Sequence, residues 1–321
     1  LEKAKKVFDF VQNSTRYISV QVGIGGVQPI PALEVDKLKY GDCKGLTNYT
    51  QSLLEIAGVE SYYSVVQAGN EIVDFEEDFA SLEQGNHIIL AIPNNDGMVW
   101  LDCTSQIHPF NFIGDFTDNR NVLLVKPNGS EIIKTTIYPD TLNYQSTFAD
   151  IKLDIFGKIS SDITRKTKGI QYDSRFTLER RGDKDIIRYY KEHWDYVNNL
   201  EVVKHQFIND KSKVEFVENV QVEANNYTSL TGERILFKPN IFNQNSYIPN
   251  RYRNRKLPLE ILRGYLDEDT FSLTIPQGYE VEALPDTITI KKKLCEYRFD
   301  INNVNNKITY KRKLLINKGL Y

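Results

Sequence analysis

His87-Ile88-Ile89-Leu90-Ala91-Ile92-Pro93-Asn94-Asn95-Asp96-Gly97-Met98-Val99-Trp100-Leu101-Asp102 reads as two apolar strands around a turn. Asn94-Asn95-Asp96-Gly97 is the turn signal, so the segment predicts a β-hairpin. A histidine begins the first strand and a carboxylate ends the second. Burying an unpaired charge is costly, so Asp102 calls for a partner, and the His87 N–H is the candidate. With Asn94–Gly97 as a four-residue loop, Pro93 pairs with Met98. Asp102 then lies opposite Ile89, diagonal to His87 and on the same face. A slip of one residue would put the two on opposite faces.

Upstream stands Tyr40-Gly41-Asp42-Cys43-Lys44-Gly45. Leu46, Leu53, Leu54 and Ala57 share one face of a helix expected over Lys44–Ala57, with Gly58 placed to end it. Cys43 is expected just before that helix. Unpaired N–H groups at a helix start favour a thiolate and can hold a developing oxyanion. Gly41 and Gly45 flank the thiol and would relieve crowding against a bound substrate. Thiol, imidazole and carboxylate together are the equipment for attack on an amide carbonyl, with Cys43 as nucleophile, His87 as its base and Asp102 as the group that orients the imidazole. Against this stands the ordinary reading of Cys43 as an inert buried small residue. Gln28 and Tyr17 are the polar candidates for a second oxyanion donor, and both also suit packing or backbone binding.

Further out, Ala4, Val7, Phe8 and Val11 have helical spacing, and Tyr62–Val66 and Val122–Val125 read as strands. After about Tyr138 alternating strands dominate, as in Phe271–Ile275, Thr287–Ile290, Glu296–Ile301 and Ile308–Leu315. One helical exception covers Asp185–Leu200, where Ile186, Ile187, Tyr190, Trp194 and Val197 share a face. A boundary near residues 138–146 divides an α+β unit, 1–140, from a β-sandwich-like, mostly antiparallel unit, 141–321.

The 321 residues are 40% hydrophobic and 26% charged, a globular balance. The net charge of -3 argues against a nucleic-acid partner. No apolar run approaches the roughly 20 residues that span a bilayer. Leu1–Phe10 lacks a signal-peptide core, and without an initiator Met the chain is expected to begin inside a longer protein. Cys43, Cys103 and Cys295 allow at most one bridge, conceivably Cys43–Cys103. Cys43, Cys103, His87 and His108 match no compact zinc spacing, and Gly23-Ile24-Gly25-Gly26 lacks a phosphate-loop lysine, so neither metal nor cofactor is expected. Arg251–Lys256 and Lys291–Lys293 read as solvated basic clusters, and His193 and His205 as surface residues. The acidic stretch Glu71–Gly85 reads as a surface loop or, less simply, as a lid.

Gly-Asp-Cys-Lys at a helix start, Asn86-His87 before an apolar strand, and Trp100-Leu101-Asp102-Cys103-Thr104 resemble the bacterial transglutaminase-like superfamily. Tyr17–Ala32, with its glycines and Gln28-Pro29, is similar to what precedes the cysteine in one branch, and the likeness covers Leu1–Val125. Leu257-Pro258-Leu259 and Leu273-Thr274-Ile275-Pro276 look like that branch's β-rich C-terminal domain. The resemblance implies a papain-like core with Cys43, His87 and Asp102 in the roles above. It also implies export to the periplasm or cell surface. Cys103 departs from the family, where proline is commoner, and sets a second thiol near the site, a conceivable redox brake.

Two readings of function follow. In the first, the chain is a thiol enzyme acting on amide bonds of peptides or proteins, with hydrolysis favoured over cross-linking because no acceptor-amine site is legible. In the second, it is a catalytically inert transglutaminase-like module serving in binding or assembly. Substrate identity and oligomeric state are not legible.

Overall fold

The computed structural model describes residues 1–79, 81–245, 250 and 252–321. Arg251 of the expected basic cluster and Ala80 of the acidic loop lie outside the described residues. The chain divides into two compact units, 1–138 with 211–213, and 139–210 with 214–321. Both mix helix with extensive sheet.

The first unit runs α1 (Glu2–Ser14), β1 (Arg16–Tyr17), α2 (Ala32–Leu38), β2 (Tyr40–Gly41), α3 (Cys43–Ile56), β3 (Tyr62–Val66), β4 (His87–Asn94), β5 (Gly97–Leu101), α4 (Gly114–Thr117), β6 (Asn121–Val125) and β7 (Glu131–Lys134). β1 and β2 pair in parallel, and the other strands form an antiparallel sheet in the order β5-β4-β3-β6-β7. Leu90, Ile92, Val99 and Leu101 pack with Leu46 and Leu54 of α3 and Ala4, Phe8 and Val11 of α1. The opposite alternation, Val66, Ile89, Ala91, Trp100 and Val122, forms a second core. Both faces are therefore covered, which is why Ile88–Ile92 is continuously apolar.

The hairpin has the expected register, with Pro93 opposite Met98 and Leu90 opposite Leu101. Its turn is tighter than expected: Asn94 pairs with Gly97, leaving Asn95-Asp96 as a two-residue turn. Gly97, at φ 127°, takes a backbone conformation that side chains disfavour.

The second unit holds β8 (Tyr144–Leu153), β9 (Ile159–Lys168), α5 (Ile170–Asp173), α6 (Asp183–His193), β10 (Leu200–Asp210), β11 (Glu215–Ala224), β12 (Ser229–Thr231), β13 (Arg234–Leu236), β14 (Glu260–Ile261), β15 (Tyr265–Thr274), β16 (Ile288–Lys292), β17 (Cys295–Val304), β18 (Lys307–Ile316) and β19 (Gly319–Leu320). The expectation of a sandwich is corrected here. Eight strands make one sheet in the order β10-β11-β9-β8-β15-β18-β17-β16. Two four-stranded antiparallel groups join edge to edge through the parallel pair β8–β15. Ile186, Tyr190, Trp194 and Val197, in and just after α6, bury themselves with Ile163, Val220 and Phe271 of one sheet face. That cover replaces the second layer of a sandwich.

The same face carries a buried polar row. Glu218 pairs with Arg165, Arg165 with Thr147, Thr147 with Asp269, and Asp269 with Arg312, so five neighbouring strands place them side by side. All five are buried. His193 is likewise not a bare surface residue: Arg165 and Arg175 both donate to its Nε2, at 3.0 and 3.3 Å. Burial and then those two arginines hold its pKa down to about 2. His205 lies 3.5 Å from Asp183 and stacks on Phe207.

Candidate active site

Asp42 is the N-cap of α3 and Cys43 the helix's first residue. The Asp42 side chain accepts the Gly45 N–H at 2.9 Å and its carbonyl accepts that of Leu46 at 2.9 Å. The cap thus leaves the N–H groups of Cys43 and Lys44 uncovered at the positive end of the helix. Asp42 also forms an ion pair with Lys44, and both side chains are buried. Gly41 and Gly45 serve the protein's own packing. A Cβ at Gly45 would meet Ile30 at 3.3 Å, and one at Gly41 the Leu46 backbone at 3.3 Å.

His87 opens β4, and Asp102 immediately follows β5. His87 Nε2 lies 3.0 Å from Asp102 Oδ2. The other carboxylate oxygen accepts from the Thr104 N–H at 2.9 Å and the Thr104 hydroxyl at 2.6 Å. Cys43, at the start of α3, stands near enough to His87 to raise the pKa of its ring. Burial opposes charge on His87, but Asp102 and then Cys43 outweigh it and push the imidazole up to about 10. Burial also opposes charge on Asp102, and there His87 and Thr104 prevail and hold the carboxyl well below its usual range.

Other contacts fix this group. Asn86 accepts the Ala68 N–H at 2.7 Å and donates to the Ala68 carbonyl at 3.0 Å. Gly85 leaves room for close passage, since a Cβ there would meet Val65 at 2.4 Å. The Phe116 ring stands edge-on to His87, with centroids 5.6 Å apart. The roles of Asn86, Thr104 and Phe116 escape the sequence reading. The pairing of Asn86 with His87 and of Thr104 with Asp102 in sequence is the signal that could have found two of them.

Tyr17 pairs with Gly41 in the β1–β2 ladder and is half-exposed. Gln28 is exposed just beyond the helical turn Gly23–Gly26, its N–H bonded to the Ile24 carbonyl. Neither side chain has a described bond to Cys43, His87 or Asp102. All three cysteines are free. Cys103 is buried beneath α3, and burial pushes its thiol up to about 12. A cleft of about 840 Å³ runs along the far half of α3 between Gln51, Glu55, Glu60 and Lys126. Of the residues near Cys43, Tyr63 also lines that cleft.

The arrangement defines a mixed α/β protein in which His87 and Asp102 pair at one end of a sheet, near Cys43 at the start of α3. The fold resembles that of a solved structure described as a "putative protease" from Parabacteroides distasonis. The TM-score is 0.51 and the identity 12%, over 100% of this chain and 46% of that one. The chain therefore spans less than half the length of that protein. Residues 233–321 match a family described as a domain of unknown function with a solved structure, DUF3858, which takes in the second four-stranded group of the large sheet. No curated protein matches the chain. Among the described residues no helix is long and apolar enough to cross a membrane.

Proposed function

We propose that the chain is a transglutaminase-like thiol enzyme with a papain-like catalytic unit, acting on amide bonds of peptides or proteins. The supporting observation is the His87 ring, held 3.0 Å from Asp102 and near enough to Cys43, the first residue of α3, for the thiol to raise its pKa. His87 takes the thiol proton, and Cys43 Sγ attacks the carbonyl carbon. The uncovered N–H groups of Cys43 and Lys44 hold the oxyanion, with Tyr17 or Gln28 as the second source of a donor. His87 returns the proton to the leaving nitrogen as the C–N bond breaks, leaving a thioester. Water, activated by His87, then releases the acid. Asp102 keeps the ring in the orientation and tautomer that both transfers require.

Hydrolysis is preferred to cross-linking because no acceptor-amine site can be read from the sequence. The second unit positions substrate or docks the enzyme, and the periplasm or cell surface is the proposed setting by resemblance. The inert-module reading draws on one observation, the 4% exposure of Cys43. Iodoacetamide labelling of Cys43 against pH, in the parent and in His87→Ala, separates the two. Labelling that persists well below the free-thiol pKa of about 8.5, and drops in the variant, supports the enzyme. An ordinary thiol profile indifferent to His87 defeats it.

A further inference from the structure

Asp42 and Lys44 bracket Cys43, and their side chains are only 1% and 8% exposed. Capping requires nothing more than an oxygen acceptor, and Asn, Ser or Thr caps about as well as Asp. Aspartate brings in addition a full negative charge, one residue from a sulfur that must itself become negative. Buried like charges oppose each other's ionisation. Lysine is almost never buried unless paired, and here its ammonium closes on the oxygen of Asp42 that the cap does not use. Burial, and then Cys43 and Asp42, raise the phenol of Tyr63 on β3 well above its ordinary range, so it stays protonated.

Building on the reading of Cys43 as nucleophile, we propose that Lys44 is a positioning residue whose ammonium cancels the Asp42 charge and so permits the Cys43 thiolate. The groups facing the sulfur divide the work. His87, backed by Asp102, draws the thiol proton from the sheet side. Lys44 removes the opposing field on the helix side, and Tyr63 stays neutral. No bond to substrate is assigned to Lys44.

The test is the pH profile of iodoacetamide labelling, read by mass spectrometry on the Cys43 peptide of the full chain. Lys44→Met should move the midpoint upward by about one pH unit or more, with the far-ultraviolet dichroism unchanged. Lys44→Arg keeps the charge and should stay near the parent. Asp42→Asn with Lys44→Met keeps an acceptor for the Gly45 N–H and should return the midpoint to the parental position. A parental profile in Lys44→Met overturns the proposal, as does a double variant still shifted as far as the single one. If Lys44→Met does not fold, Asp42→Asn alone carries the test. It leaves an uncompensated ammonium beside the sulfur and must lower the midpoint, and an unchanged profile overturns the proposal. His87→Ala reports separately on the Cys–His pair. A shift in Lys44→Met with none in His87→Ala sinks that pair and leaves this inference standing, and the reverse pattern does the opposite.

Discussion

Asn86 grips Ala68 through both ends of its side-chain amide, accepting the N–H at 2.7 Å and donating to the carbonyl at 3.0 Å. The clamp ties the chain leaving β3 to the residue that precedes His87, whose backbone pairs with Val66. It therefore fixes where β4 begins and where the imidazole stands. Asn86→Ala strips partners from the Ala68 backbone groups, a loss of about 1–3 kcal/mol. We expect a lower unfolding midpoint and a fall in Cys43 labelling at neutral pH, with the core otherwise intact. Labelling unchanged in a destabilised variant would reduce Asn86 to a purely structural part.

Asp102→Asn should cost about 10³–10⁴ in turnover of an amide substrate, the scale set by loss of the orienting carboxylate in comparable triads. The stability profile carries a sign. The folded-state pKa of His87 is raised from 6.5 to about 10, so its contribution is complete below 6.5 and fades as pH rises toward 10. Asp102 is depressed, so its contribution is present above 3.8 and fades as pH falls below it. The stability gap between parent and variant should thus be widest between these limits, about 3 kcal/mol, and shrink toward pH 10. A gap independent of pH would contradict the ion pair.

Cys103 should resist alkylation in the folded chain at pH 8, while the partly exposed Cys295 labels readily. Burial pushes the Cys103 thiol up to about 12, so the thiolate is scarce there. Mild oxidants should leave no Cys43–Cys103 bridge in a peptide map. Finding that bridge would support a redox brake at Cys43.

The hairpin was legible because a two-residue period and a turn signal fix which residues oppose one another. Pro93–Met98 follows from those alone, and the meeting of His87 with Asp102 follows from the register. The single sheet was not legible. Its decisive contact, β8 beside β15, joins segments more than a hundred residues apart, and strand patterns do not name their neighbours. The polar row was hidden for a related reason. Arg165, Glu218, Asp269 and Arg312 sit at alternate positions of their strands, where charge ordinarily marks the solvated face. Only the pairing of five strands shows that they are inside and answer one another. His193 followed the same course, because the two arginines that bond it come from other segments.

That row yields the last prediction. Arg312 Nε donates to Asp269 Oδ2 at 2.7 Å, and Nη2 reaches Asp267 Oδ2 at 3.4 Å, with all three residues buried. Arg312→Met leaves the two carboxylates without their cation and should destabilise the second unit by about 3–5 kcal/mol. Adding Asp269→Asn should recover part of the loss, because the uncompensated charge rather than the missing contact is the larger cost. Burial already holds the Asp269 carboxyl above its usual range, and Arg312 works against that shift. Without the arginine the carboxyl rises further and takes up a proton more readily on folding. A raised folded pKa means stability gained as pH falls, so the deficit of Arg312→Met should be smaller at pH 4.5 than at pH 8. Urea unfolding of parent, single and double variants at the two pH values checks this. An equal deficit at both would mean that Arg312 matters for its packing and not for its charge.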